Sequence, residues 1–311
     1  MYKLIIVEAV VFCKNNQAYM VVVFQLSPDN TPFKHFLLYN IRTEYLVLVG
    51  HKGDVSLWLS SNMENTQPQA APLKITVIFN NLAYNTLLRT SWGFACLVET
   101  AGRAILFDAG GDGEVLLSNM NHLGVDPGTI DMVVLSHIHA DHTGGLEDFL
   151  HSSSHPLTYV PESFPASFYS VIRSYGVDVK MVGAPIQLCD QVFSSGEMGD
   201  GIREQALILD TAKGLIVITG CAHPGVVKVV TRAKQHLNRD VYLAMGGFHL
   251  KGMSASEIQG IIIMLQELGV KKIAPSHCTG EVAMALFRQI WGDDFLAGGL
   301  GAIIEAPPEK A

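Results

Sequence analysis

Four potential metal ligands, His137, His139, Asp141 and His142, fall within six positions of the stretch Ser-His-Ile-His-Ala-Asp-His-Thr-Gly-Gly that begins at Ser136. Imidazole nitrogens and carboxylate oxygens are the usual ligands of zinc and its neighbours, and a solvated surface rarely concentrates them this way. The apolar run Met132 to Leu135 leads into the cluster and is predicted as a buried strand. After Gly144 and Gly145, Leu146, Phe149 and Leu150 recur at helical spacing. The cluster is therefore expected on a tight turn between a strand end and a helix. Alternate residues of an extended backbone project to one side, so His137 and His139 can hold one ion while Asp141 and His142 face a second.

The string Leu-Ser-His-x-His-x-Asp-His-Thr-Gly-Gly-Leu, from Leu135 to Leu146, resembles the signature of the metallo-β-lactamase superfamily. Within it the string is most similar to the dihydropterin-ribofuranosylaminobenzene-phosphate synthase branch. The resemblance continues from Leu73 to about Ile304 and implies further roles. Phe107-Asp108-Ala-Gly110 matches an element whose Asp hydrogen-bonds the metal-binding turn; the plain alternative is a turn Asp capping the next segment. Thr219-Gly-Cys221-Ala-His223 matches a ligand turn, making His223 the third histidine of the first metal. Cys221 stands where many members place a bridging Asp; a thiolate there is a zinc ligand, and a buried inert cysteine is the alternative. Ser276-His277-Cys278 supplies the last metal histidine, His277, completing the second site with Asp141 and His142; Cys278 is expected to face away. His249, in Gly246-Gly-Phe-His-Leu250, reads either as a metal-proximal acid or substrate contact, or as a satisfied core histidine. Asp141 and His249 are the residues expected to take part in catalysis directly.

The elements that must carry these residues can be read from periodicity. Ile75 to Phe79, Phe94 to Glu99 and Ala104 to Phe107 read as strands, the last two joined by a turn at Thr100 to Arg103. Gly214 to Thr219 and Val241 to Gly247 are two more, and Lys272 to Pro275 leads to Ser276. Pro224 suits the first position of a helix. Ser254 to Glu257 reads as a capping box before an apolar stripe that stops at Gly269. Thr279 is predicted to cap a helix over Glu281 to Ile290, whose free N–H groups suit an anion. His151 to Ser195 is expected to be an irregular connection, which the family resemblance places near the substrate entrance, with His151 and His155 solvated.

Composition bounds the rest. A chain of 311 residues, 49% hydrophobic and 16% charged, can bury a substantial core. The formal charge of −8 leaves no electrostatic footprint for sequence-independent nucleic-acid binding. Five scattered cysteines form no small-domain disulfide framework, and no apolar run reaches the roughly 18 residues of a spanning helix. The expectation is a cytoplasmic protein with a small-molecule substrate, without nucleic-acid or membrane partners; nothing in the sequence bears on oligomeric state. Residues 1–62 have strand-like segments (Tyr19 to Leu26, Phe36 to Tyr39, Tyr45 to Val49) but no ligand cluster, and His35 and His51 there read as structural or exposed. They are expected to be a β-rich or poorly ordered extension, or a start-site artefact, ahead of a catalytic domain over 63–311.

Strand ends at Ser136, Gly220, Gly247 and Ser276 thus deliver histidines that are distant in sequence. The resemblance implies an α/β fold, a four-layer αβ/βα sandwich with the site at one edge between two sheets, and a zinc cofactor of one or two ions, manganese or iron being alternatives. A bound zinc ion lowers the pKa of water from 15.7 to about 7, so a metal hydroxide or a metal Lewis acid is the expected agent. Three functions remain: an enzyme on a phosphorylated or pterin-like small molecule, a general metallohydrolase of esters, lactones, thioesters or phosphodiesters, and a non-catalytic ligand-binding relative, which the full ligand set disfavours.

Overall fold

Short, nearly continuous apolar runs recur along the chain after residue 72, and the computed structural model shows why almost every position in them is hydrophobic. It describes residues 73–100 and 102–306 and, before them, the backbone of β1 (Ile5–Lys14), β2 (Gln17–Gln25), β3 (Lys34–Asn40), β4 (Tyr45–His51) and β5 (Asp54–Leu57). Contacts divide the chain into two units, Met1–Gln69 and Ala70–Ala311. In the first, β1 to β5 pair in sequence order as an antiparallel meander.

The second unit contains β6 (Leu73–Asn80), β7 (Phe94–Glu99), β8 (Ala104–Phe107), β9 (Met132–Val134), β10 (Leu157–Pro161), β11 (Val179–Val182), β12 (Ile186–Cys189), β13 (Val192–Ser194), β14 (Leu207–Thr211), β15 (Gly214–Thr219), β16 (Val241–Gly247), β17 (Lys272–Ser276) and β18 (Ile303–Ala306). Its helices are α1 (Gly113–His122), α2 (Ala140–Thr143), α3 (Leu146–Ser152), α4 (Ala166–Ser174), α5 (Val226–Leu237), α6 (Ala255–Glu267) and α7 (Glu281–Trp291). One sheet runs β11-β10-β9-β8-β7-β6-β18 and the other β12-β13-β14-β15-β16-β17.

Alternation sorts each strand's side chains into two buried layers. In β7, Phe94, Cys96 and Val98 join the central core while Ala95 and Leu97 face an outer one. In β15, Ile216 and Ile218 point centrally, and Leu215 and Val217 pack outward with α5 and α6 residues such as Val229 and Ile258. Both faces of both sheets are covered, so neither strand set can show a polar face. Each fully buried Val, Leu, Ile or Phe contributes about 1.5–3 kcal/mol, and this fixes the order helices, sheet, sheet, helices.

The capping box at Ser254 and Glu257 forms, and α6 ends at Glu267, two residues before Gly269. Three expectations need correction. Residues 151–195 are not irregular: β10 and β11 extend the first sheet in parallel, with α4 between them. Pro161 and Pro165 lie at element boundaries, where proline costs least. Pro224 precedes α5 rather than opening it, because Gly225, at φ 97°, is the N-cap. Thr279 does not cap α7; its hydroxyl donates to Ser276 O and accepts from Phe248 N, and the N-cap is Gly280. Among the described residues no helix is long and apolar enough to cross a membrane.

Candidate metal centre

The site lies at the carboxyl ends of strands from both sheets. β8 runs parallel to β9, and β15, β16 and β17 are mutually parallel, so each pair or trio delivers its following turn to the same edge. Those turns are tight enough to force residues into left-handed backbone: Asp108 (φ 59°), Ala222 (59°), His249 (53°) and His277 (53°). Such a conformation costs a non-glycine residue about 1–3 kcal/mol and persists only where surrounding contacts fix it.

The contacts that fix it also set histidine tautomers. Asp108, fully buried, accepts from Ser136 N at 2.6 Å and Ser136 Oγ at 2.7 Å. Its Oδ2 is also 2.7 Å from His142 Nδ1. A carboxylate only accepts, so His142 carries its proton on Nδ1 and turns a bare Nε2 inward. Ser136 Oγ has given its hydrogen to Asp108, so it accepts from His137 Nδ1 at 2.9 Å, and His137 likewise presents Nε2. On the opposite side, Asn81 Oδ1 lies 2.7 Å from His277 Nδ1, again leaving Nε2 free. A Cβ on Gly220 would run into Ser136 Oγ and Asp108 Oδ2, so the turn can close on this network only with glycine there.

The inward atoms converge. His137 Nε2 is 3.1 Å from His139 Nδ1, and the His223 ring centroid is 4.7 and 4.8 Å from those of His137 and His139. His142 Nε2 is 3.2 Å from Cys221 Sγ and 3.7 Å from Asp141 Oδ2, and His277 Nε2 is 3.3 Å from the same oxygen. The donor atoms of His137, Cys221 and His223 lie within 4.8 Å of one another, as do those of His142, Cys221 and His277. Cys221 is thus common to both groups. The structure brings His137, His139, Asp141, His142, Cys221, His223 and His277 to one place.

His249 also sits there, its ring 4.3 Å from that of His223, but it is exposed, which excludes the core-histidine alternative. Cys278 corrects the expectation that it faces away: its Sγ is 3.2 Å from Cys221 Sγ. The left-handed turn at His277 bends residues 277–279 into a short 3-10 segment, so adjacent side chains both reach the site. His151 and His155 are exposed and lie apart, against Tyr175.

Electrostatics suit a cation. Burial and neighbouring histidines push His137 far below the ordinary imidazole range, and burial with His249 and His139 lowers His223 to about 4. Burial would raise Asp141, but His277 and His142 outweigh it and hold the carboxyl low. Burial opposes a charged His142, yet Asp108 prevails and raises it. The Cys221 and Cys278 sulfurs share a hydrogen bond that raises Cys221 and, with His249, lowers Cys278. Imidazole nitrogens, one carboxylate and a pair of cysteine sulfurs form a donor set for zinc or another borderline-soft metal. The fit is tested by two orphans: Nε2 of His223 and of His277 are buried without a hydrogen-bond partner, a cost of about 1–3 kcal/mol each that a metal ligand role removes.

Sequence reasoning missed two supports. Glu204, buried, accepts from the N–H groups of Gly220, Cys221, Ala222 and His223 at 2.8–3.1 Å. Burial raises its carboxyl against the N–H groups of His223, Ala222 and Cys221. Its neighbour Gln205 donates to Leu135 O, and its N–H to Ser136 O, so one dipeptide ties both ligand turns together. Asn81 is the other. Both lie at an end of an apolar run, β14 or β6, the same signal that marked the histidines.

Residues 93–236 match the family model of the metallo-β-lactamase superfamily. The 7,8-dihydropterin-6-methyl-4-(β-D-ribofuranosyl)-aminobenzene-5'-phosphate synthase of Methanocaldococcus jannaschii is 31% identical over 284 residues, covering 75% of this chain and 96% of that protein. The chain belongs to the metallo-β-lactamase superfamily. Among solved superfamily structures, Tm1679, a metal-dependent hydrolase of the β-lactamase superfamily, is 27% identical with a TM-score of 0.64, covering 76% of this chain and 99% of its own. The short form of human tRNase Z, at 15% identity and a TM-score of 0.53 over 75% of this chain and 99% of that one, shares the fold alone. The four-layer metallo-β-lactamase sandwich expected from the sequence is the observed architecture.

Proposed function

We propose that this chain is a metal-dependent enzyme acting on a small phosphorylated or pterin-like molecule, with zinc at the centre. The observation that carries the reading is the pair of orphaned, buried Nε2 atoms of His223 and His277 in a ring of oriented donors. Beside His277 opens a cavity of about 760 Å³, within the size range of small-molecule sites. The activity for which the 31% identical relative is named supplies the substrate class.

His137, His139, His223 and Cys221 would hold one ion, and Asp141, His142, His277 and Cys221 a second. When bound, such ions supply Lewis acidity and a nucleophile at neutral pH. The chain's own contribution is orientation: Asp108, Ser136 and Asn81 hold Nδ1 protons on His137, His142 and His277 so that each ring points one bare nitrogen inward. Hydrogen bonding to Cys278 raises His249 above the ordinary imidazole value. On the exposed side of the site, that ring holds a proton for a leaving group.

A second reading, a plain metallohydrolase of esters, lactones, thioesters or phosphodiesters, is supported by the likeness to a structure described as a metal-dependent hydrolase. Zinc-loaded protein should be offered a dihydropterin alcohol derivative with a ribofuranosylaminobenzene phosphate, beside phosphodiester, lactone and thioester substrates. Condensation product is expected; turnover confined to the hydrolytic substrates would establish the second reading instead.

A further inference from the structure

The cavity beside His277 has a chemistry of its own. Its wall includes three large apolar side chains left exposed, Trp92 at 48%, Met253 at 42% and Val282 at 57%. Lys251 stands at the same wall with its Nζ 5.1 Å from the centroid of the Trp92 ring, a placement the ring's negative face favours. The Trp92 ring in turn packs against His277, centroids 4.9 Å apart. Backbone contacts fix Lys251 further: its N–H donates to Cys278 O, and Gly280, at φ 85°, has no Cβ because one would meet Lys251 Cα at 2.9 Å. The lysine is therefore tied to the turn that carries His277.

No carboxylate lies within ion-pair distance of Lys251 or of Arg288, the other cation of the lining, among the described residues. One acid, Glu281, shares the wall. α7 begins at this wall with no side chain capping its first N–H groups, and a helix start favours an anion. The buried ring of His277, whose Nε2 lies 3.3 Å from Asp141 Oδ2, is part of the same lining.

We propose that this cavity is the substrate subsite for a phosphate monoester that carries an aromatic ring, with the phosphate between Lys251 Nζ and the first turn of α7 and the ring against Trp92, Met253 and Val282. The proposal rests on the enzyme reading above and specifies how its substrate is recognised. Lys251 acts as the specificity-determining cation, and Trp92 positions it.

The test is titration of the full-length, zinc-loaded protein with phenyl phosphate, phenol and inorganic phosphate, followed by calorimetry and tryptophan emission. Phenyl phosphate should bind at least about tenfold more tightly than either fragment, since charge and apolar contact act together. Lys251→Met should weaken phenyl phosphate about 10- to 100-fold while leaving phenol unchanged, and Lys251→Arg should recover most of the loss. The same titration of the His137→Ala, His139→Ala double variant separates this subsite from the metals: retained, Lys251-dependent binding supports the proposal. Equal affinity for phenol and phenyl phosphate, indifference to Lys251→Met, or loss of all binding with the metal ligands would overturn it. Lys251-dependent binding without turnover of any substrate would sink the enzyme reading and leave the subsite standing.

Discussion

Asp108 Oδ2 lies 2.7 Å from His142 Nδ1 and receives the Ser136 hydroxyl at the same distance, so one buried carboxylate sets the tautomers of two candidate ligands. Asparagine in its place would offer an N–H₂ donor to a ring N–H donor. His142 would relieve that clash by moving its proton to Nε2, the atom needed for the metal. Asp108→Asn is expected to lower zinc affinity about 10- to 100-fold with the circular dichroism spectrum unchanged. Competition against a chelator measures it, and wild-type affinity would remove Asp108 from the centre's design.

Glu204 should matter for stability as well as shape. Glu204→Gln keeps one acceptor oxygen but sets an amide donor against the N–H of His223, 2.8 Å away in the present structure. The expected loss is about 1–3 kcal/mol, the cost of a buried unsatisfied donor, read as a lower urea midpoint. A midpoint equal to wild type would show that water satisfies the turn.

The sulfur pair gives a third prediction. With Cys221 and Cys278 3.2 Å apart at the ligand cluster, bound zinc should protect both from alkylation, while Cys189, partly exposed and remote from the cluster, reacts either way. Peptide mapping after iodoacetamide treatment distinguishes them. Equal labelling of Cys221 with and without zinc would place that sulfur outside the centre.

Acid sensitivity follows from the histidines. His137 and His223 sit below their ordinary 6.5 in the folded, metal-free protein, His223 at about 4. Between those values the unfolded chain binds more protons than the folded one, so stability falls as pH drops from about 6.5 to about 4. His142 is raised, and its contribution is fully present below 6.5, being lost only as pH rises through its folded value. It therefore does not compensate in this window. Denaturation midpoints of the metal-free protein across this range should decline with acid; a flat profile would contradict the burial of neutral His137 and His223.

The candidate site was legible in the sequence because metal ligation would demand particular atoms at short spacing, and His137, His139, Asp141 and His142 offer them within six positions. Strand ends were legible too, since burial on both faces leaves uninterrupted apolar runs that stop at Gly220, Gly247 and Ser276. What only the tertiary structure decided depends on directions and long-range contacts. Cys278 turns inward because a left-handed φ at His277 reverses the alternation a regular strand would impose. Glu204 reaches a turn sixteen to nineteen positions away, and Asn81 meets His277 across 196. Neither partnership has a local period, so no window of sequence could contain it. The Trp92, Lys251 and His277 wall likewise exists only because three separate turns arrive at one edge of the sandwich.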